Sequence, residues 1–490
     1  MSDELQKQPA KRTEVAEDVD EGEVVAWTRE EERQLVRKLD FRIFPIIIVL
    51  FILNFIDRNN FANARLKGLE ADLHLSDVDY QTCLSILLVG YVSMEIPSNM
   101  LLNKVSSPSL YLCAAVALWG LVSACLAAAQ NSVGAIMARF FLGCCESVFF
   151  PGCLLFLSKW YTRREMQLRV TWMNAGNIAA QGFGGLIAAG ILGGMEGDGG
   201  LRAWRWLFII EGAVTITIAL IAYPILPDWP STTSWLSSKE KQIAEARLVK
   251  ETGINASNPI SALEGFKLAF TDPKVYLLAL LYFLTIMGLS FSYFFPTITS
   301  ALGYNTTETL LLTAPPWIFA IFTSIPNAWH ADRTGERFFH YTWPAIACMV
   351  GYLISMATHN TGARYFSTFL MTTGYASGFL VLAWISNTIV EPPEKRAVAI
   401  AFINACGNVG SIPGSYIWRS MYGPWYRIPF GACFAILGAG VVVAAGLRWY
   451  LIRLNKELER VEGAGIAMEG AGKECDDVDD DERKGFRYLY

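Results

Sequence analysis

Apolar residues run along this chain in long blocks, separated by short polar stretches, and the blocks are of nearly uniform length. Twelve stand out, at residues 43–64, 80–103, 108–129, 132–157, 168–192, 204–226, 274–299, 308–331, 341–358, 363–390, 397–421 and 426–452. Each approaches or exceeds the roughly 20 residues that a helix needs to cross a bilayer. Several contain Gly and Pro, as at Gly182, Gly184 and Gly185 or at Pro315 and Pro316, which suits membrane helices that pack closely or bend. The pattern predicts transmembrane helices rather than barrel strands.

Composition agrees with that reading. In 490 residues, 53% are hydrophobic and 17% are charged, more apolar and less charged than soluble domains usually are. A membrane takes up the excess. The first 40 residues are polar and of mixed charge, without the basic-then-apolar pattern of a cleaved signal peptide, so the first span is expected to act as its own insertion signal. Lys and Arg concentrate in the loops on the side of the two termini, which predicts a multi-pass protein with both termini cytoplasmic.

The spans divide six and six around a long loop. The expected layout is a disordered tail at 1–42, a six-helix bundle at 43–226, a linker at 227–273, a second six-helix bundle at 274–453, and an acidic tail at 454–490. Bundles so arranged hold a site between them at mid-membrane depth. Within the linker, Ser237 and Glu240 have the spacing of a capping box, and Ile243 and Leu248 punctuate a charged run, predicting a short amphipathic helix. The net charge of −5 owes much to the cluster Asp476, Asp477, Asp479, Asp480, Asp481 and Glu482, read as a solvated tail or as a docking signal. Nothing resembles a basic nucleic-acid surface.

The chain has ten cysteines and four histidines, the residue types of metal and disulfide chemistry. Nine of the cysteines, Cys83, Cys113, Cys125, Cys144, Cys145, Cys153, Cys348, Cys406 and Cys433, fall in or near predicted spans, as small packing residues do. His74, His330, His340 and His359 sit scattered near span ends. No metal, cofactor or structural disulfide is expected. Two glycosylation sequons occur; that at Asn255 lies in an inner loop, and that at Asn305 lies in a short outer loop where sugar could be added.

Charges inside the spans carry the functional argument, because each costs about 2.5–3.5 kcal/mol at a helix centre on insertion scales. Asp57 and Arg58 lie in span one, Glu95 in span two, and Arg139 and Glu146 in span four. Arg139 and Glu146, seven apart, project from one helix face about 10 Å apart along the axis. Asp57 and Arg58 diverge by about 100° around their helix and so address different partners. Protonation of Asp57 or Glu146 would leave Arg58 or Arg139 uncompensated and ready for an anion; a static salt-bridge network is the competing reading. Glu95, beside Ile96-Pro97, reads as a kink-site carboxylate. In the second half amides and aromatics replace charges: Trp384, Ser386 and Asn387 in span ten, and Asn404, Gly407, Asn408 and Gly410 in span eleven. Tyr91, Asn177 and Gln181 are polar candidates of the first half. Any of these could serve substrate or interhelical hydrogen bonds.

Arg139-Phe140-Phe141-Leu142-Gly143 with Glu146, and the loop Asp332-Arg333-Thr334-Gly335-Glu336-Arg337, resemble motifs of the major facilitator superfamily, and the likeness extends from about residue 40 to 455. More narrowly, Asn54-Phe55-Ile56-Asp57-Arg58-Asn59-Asn60 and Phe149-Phe150-Pro151-Gly152 with Ser158-Lys159-Trp160-Tyr161 resemble the anion:cation symporter family, in particular its fungal allantoate-permease branch. The segment Asn103-Lys104-Val105-Ser106-Ser107-Pro108 departs from the superfamily's charged loop after span two.

That resemblance implies an all-α fold of twelve transmembrane helices in two six-helix bundles. It implies a monomeric, proton-coupled carrier of a small carboxylate, such as nicotinate or a related vitamin or nitrogen-source acid, in the plasma membrane. Asp57 and Glu146 would carry protons. Arg58 and Arg139 would meet the anion, with Tyr91, Asn177, Gln181, Trp384, Asn404 and Asn408 around it. In the two-bundle layout Asp332, Arg333 and Arg337 would gate, or they are only topogenic charge around a tight turn. Export of an acidic metabolite, or ligand sensing without transport, are the alternatives, and an embedded enzyme finds no His-Asp or Cys-His constellation within a span.

Overall fold

The computed structural model describes residues 27–102, 105–253, 261–389, 392–469 and 488–489, and the described chain is helical throughout. The acidic cluster at 476–482 and the sequon at Asn255 lie outside the described residues. Among the described residues, eleven helices are long and apolar enough to cross a membrane. A twelfth, Phe338–Ala357, has 20 residues; its first two turns carry His340, Tyr341, Thr342, Trp343 and Pro344, which dilute its hydropathy. In chain order the spans are Phe44–Arg65, Asp77–Leu102, Pro108–Leu126, Ser132–Ser158, Leu168–Gly194, Ala203–Ala222, Pro273–Ser300, Thr306–Thr334, Phe338–Ala357, Thr361–Thr388, Glu394–Tyr416 and Arg427–Arg460.

Spans one to six form one bundle and seven to twelve the other, and the two meet where span five packs on span eight and span two on span eleven. Helices this close need small residues between them, since lipid supplies no hydrophobic drive for association. Gly143 of span four lies directly under the Leu87 carbonyl of span two, where a Cβ would collide with it. Spans three and six approach through Gly120 and Gly212, where a Cβ on Gly120 would stand 3.0 Å from the Gly212 carbonyl oxygen. Outward-facing side chains are apolar: Leu220 is 67% exposed and Phe322 71%, an arrangement that water would penalise and lipid accepts.

Three segments differ from the expected layout. The tail expected up to residue 42 is already helical at Arg29–Arg42, opened by a reciprocal capping box between Thr28 and Glu31. Leu35 and Leu39 bury its apolar stripe, and Lys38 pairs with Glu240 at 2.9 Å and Asp40 with Arg169 at 2.5 Å. The linker holds two helices rather than one, Ser238–Gly253 and Ala262–Thr271. The Ser237–Glu240 capping box is present in both directions, at 2.8 and 3.2 Å. At the other end, the last helix continues to Glu469, beyond the boundary at 453. Tyr488 and Leu489 fold back on the second bundle, with the Tyr488 backbone paired to the Asn455 amide at 2.9 and 3.0 Å.

Candidate functional site

Arg58 and Glu146 meet at mid-span. Arg58 Nε donates to Glu146 Oε2 at 2.6 Å, with the Glu146 side chain fully buried and the Arg58 side chain 18% exposed. The guanidinium also lies 4.8 Å from the centre of the Tyr91 ring and 5.3 Å from that of Phe55, contacts in which an aromatic face holds the cation. Glu146 Oε1 has no hydrogen-bond partner among the described residues. One side chain of the pair thus reaches open space and the other is sealed behind it.

Asp57 turns away from its neighbour, as the rotation of about 100° between adjacent helical residues requires. Its carboxylate accepts from Trp119 Nε1 at 3.1 Å, Ser123 Oγ at 3.1 Å and Thr215 Oγ1 at 3.4 Å. Trp119 and Ser123 lie one turn apart on span three, and Thr215 comes from span six. All four side chains are buried. Asp57 therefore faces the interior of the first bundle, and it makes no ion pair with either arginine among the described residues.

Arg139 is not brought to the same place as Arg58. It is buried, donates from Nε to the Cys83 carbonyl at 3.2 Å, and lies 5.0 Å from the centre of the Phe61 ring. Its Nη1 has no partner among the described residues. The expected balance of two acids against two bases resolves into one direct pair, Arg58–Glu146, with Asp57 and Arg139 each held by neutral donors, acceptors and rings.

From the second half, Asn404 Nδ2 reaches Glu95 Oε1 at 3.5 Å, so the kink-site carboxylate of span two faces span eleven. Tyr293 of span seven bonds Ser411 at 3.3 Å and lies within electrostatic reach of Arg58. Asn177, Gln181 and Asn408 are half-buried, and Asn177 Oδ1 has no partner among the described residues. Trp384 lies apart from these amides. It is fully buried in the second bundle and its indole Nε1 donates to the Leu489 carbonyl at 3.0 Å.

The two halves are joined at the end opposite the termini. Ser85 meets Ser415 at 2.7 Å, Thr82 meets Tyr416 at 3.0 Å, Gln81 donates to the Trp418 carbonyl at 3.2 Å, and Arg65 donates to Ser420 Oγ at 2.7 Å. Asp77 accepts from the Ser420 amide at 2.7 Å. On the terminal face, the loop after span eight turns at Gly335, whose φ of +67° closes the helix, and Arg337 pairs with Asp332 at 2.8 Å. Arg333 stacks over Trp329 instead. Asn305 caps span eight, its Oδ1 accepting from the Glu308 amide at 2.8 Å.

Sequence reasoning missed four features. Glu211 of span six is buried, and the same rule that singled out Asp57 and Glu146 applies to it. Tyr293 and the Ser85–Ser415 contact carry no sequence signal beyond a polar residue in a span. His330 and His340, read as scattered, meet at 2.6 Å because spans eight and nine form a tight antiparallel hairpin.

A model of the Major Facilitator Superfamily matches residues 47–415. The MFS-type transporter cnsO of Penicillium expansum is 33% identical over 455 residues, covering 89% of this chain and 86% of that protein. A protein of Agrobacterium vitis carrying the provisional name of tartrate transporter is 30% identical over 422 residues, covering 86% of this chain and 90% of its own. Among solved structures, a bacterial homologue of the human lysosomal transporter Spinster, in an inward-facing and unoccupied conformation, superimposes with a TM-score of 0.64 at 14% identity, over 86% of this chain and 97% of that one.

Proposed function

Since the chain belongs to the Major Facilitator Superfamily and is a multi-pass secondary transporter rather than an enzyme, we propose that it is a proton-coupled symporter of a small organic anion, a carboxylate, working by alternating access. The observation that carries this reading is the Arg58–Glu146 pair. A buried acid in direct contact with a partly accessible arginine makes proton and anion binding cooperative. With Glu146 ionised, Arg58 is already neutralised. A proton on Glu146 leaves an uncompensated cation in a low-dielectric site, a state costing about 3–5 kcal/mol when such a pair is broken, and an entering carboxylate offsets that cost. The guanidinium suits a carboxylate because its planar fork donates two parallel hydrogen bonds and stays charged.

Tyr91 positions Arg58, and Asn177, Gln181, Asn404 and Asn408 supply neutral hydrogen bonds to the rest of the anion. Asp57 is a further proton-carrying group, and Arg139 joins the path when the halves rock. Asp332, Arg333 and Arg337 gate the terminal face. The name of the Agrobacterium vitis relative supports a carboxylate cargo, and the motifs around Asp57 and Phe149 support the anion:cation symporter family and its fungal allantoate-permease branch. Placement in the plasma membrane, with both termini cytoplasmic, makes the end closed by Ser85 and Ser415 the outer one. Asn305 then faces outside, where a sugar can be attached.

The test is uptake of labelled tartrate, nicotinate and related acids into proteoliposomes with acid or neutral outside pH. Acid-stimulated accumulation by the wild type, with pH stimulation lost in Glu146→Gln, is expected. Folded protein that accumulates no acid under either gradient would overturn the reading.

A further inference from the structure

Glu211 lies in the first bundle with no role in the pair just described. It stands eight residues in from Ala203 on span six, as Asp57 stands eight residues in from Arg65 on span one. Both carboxyl groups therefore sit about 12 Å from the same ends of their spans, deep in the hydrocarbon layer. Glu211 is 5% exposed and Asp57 1%. The two are within electrostatic reach of one another. Thr215, which donates to Asp57, lies one turn beyond Glu211 on the same face of span six.

Their surroundings are unequal. Asp57 accepts hydrogen bonds from Trp119, Ser123 and Thr215, three donors that favour a carboxylate. Neither oxygen of Glu211 has a hydrogen-bond partner among the described residues. The charged groups facing this region are few. Glu146 of span four acts on Asp57, and Arg58, its neighbour in the chain, is turned to Glu146. No Lys or Arg is ion-paired with either Asp57 or Glu211 among the described residues. Two carboxylates at this depth without a cation cannot both be ionised, since each would raise the cost of the other.

We propose that Asp57 and Glu211 form a two-carboxyl proton store in which Glu211 holds the proton and Asp57 receives it. In the transfer, the O–H bond of the Glu211 carboxylic acid breaks and an O–H bond forms on Asp57, so that Glu211 becomes the carboxylate and the net charge of the pair stays at minus one. The donors on Asp57 are hydroxyls and an indole contributed by spans three and six, so a shift of span one relative to those spans within the bundle changes which carboxyl is better solvated by the protein. The conformational change is thereby linked to proton position without any contact with the anion. The inference rests on the proton-coupled reading and adds a proton-carrying residue to it.

Two measurements test it. Infrared spectra of the purified transporter in liposomes at neutral pH, subtracted between wild type and variants, report protonated carboxyl groups directly. A carboxylic C=O component lost in Glu211→Gln and displaced in Asp57→Asn is expected; a Glu211→Gln spectrum matching the wild type overturns the proposal. In the second, tartrate and nicotinate are followed in proteoliposomes both as proton-driven accumulation and as exchange at equal pH. Glu211→Gln is expected to keep exchange and lose accumulation, with Glu211→Asp retaining both. Accumulation by Glu211→Gln equal to that of the wild type overturns the proposal while leaving symport intact. If the wild type itself accumulates neither acid, symport fails, and the infrared measurement still decides Glu211. Retained exchange, together with an unchanged circular dichroism spectrum, shows that the variant is folded.

Discussion

Ser85 and Ser415 stand 330 residues apart in the chain, and their hydroxyls meet at 2.7 Å. Both are buried, and they join span two of the first bundle to span eleven of the second. The bond lies at the closed end of the molecule, so it must break whenever that end opens. A disulfide in its place would hold the halves together. Oxidised Ser85→Cys/Ser415→Cys protein is expected to lose all transport and recover it on reduction, while each single variant retains more than half. Transport by the fully oxidised double variant, with the crosslink verified by mass spectrometry, would show that this end does not need to open.

Arg58 separates charge from geometry. Lysine keeps the cation but loses the planar fork, and alanine loses both. Anion affinity is expected to fall by about 1.5–3 kcal/mol in Arg58→Lys, roughly 10- to 100-fold, and beyond detection in Arg58→Ala. Equal affinities in the two variants, measured by calorimetry or by inhibition of exchange, would place the anion elsewhere.

Asp272 offers a pH readout outside the membrane. It caps span seven through the Lys274 amide at 2.9 Å and pairs with Lys395 at 2.7 Å. Burial opposes its charge, but Lys395 and Lys274 outweigh burial and hold the carboxyl below its ordinary value of 3.8. A depressed acid stabilises above its unfolded value and loses that contribution as pH falls through the folded one. Protection of the first amides of span seven from hydrogen exchange is therefore expected to be flat above 3.8 and to decline below it. Asp272→Asn is expected to cost about 1.5–3 kcal/mol near neutral pH and to flatten the profile. A variant as pH-sensitive as the wild type would assign the decline to another group.

Gly143 admits no larger residue. A Cβ there collides with the Leu87 carbonyl, a backbone atom that cannot swing aside. Gly143→Val is expected to destabilise by at least about 1–3 kcal/mol, the usual range for overpacking, and to displace Glu146 one turn away. Thermal unfolding in detergent checks the first, and loss of acid-stimulated uptake the second.

The architecture was legible because a bilayer imposes one length on every spanning helix, and only span nine, diluted by His340 to Pro344, falls short of a simple hydropathy criterion. The diverging directions of Asp57 and Arg58 were legible from helical rotation alone. Their partners were not, because the Arg58–Glu146 bond closes over 88 residues and no local spacing encodes which face of span four turns to span one. Glu211 shows the opposite case. It sits in the apolar run Leu207-Phe208-Ile209-Ile210, where one acid among large hydrophobic residues was passed over, although the cost of burying it is the same as for Glu146. The helix at Arg29–Arg42 was also within reach. Thr28 and Glu31 have capping-box spacing and Leu35 and Leu39 lie one turn apart, but a high density of charge was read as a tail.

The helices of the linker have a kinematic consequence. Ser238–Gly253 is fastened to the first bundle, through Glu240 to Lys38 and through Arg247 to Glu165 at 3.1 Å. Ala262–Thr271 belongs to the second, with Gly265 packed on Glu394 and Asp272 held by Lys395. The two described helices of the linker therefore belong to different bodies, one to each bundle. A loop that looks 47 residues long between spans is thus, over its described helices, an extension of the two bundles rather than a free tether, and each helix must travel with the body that holds it.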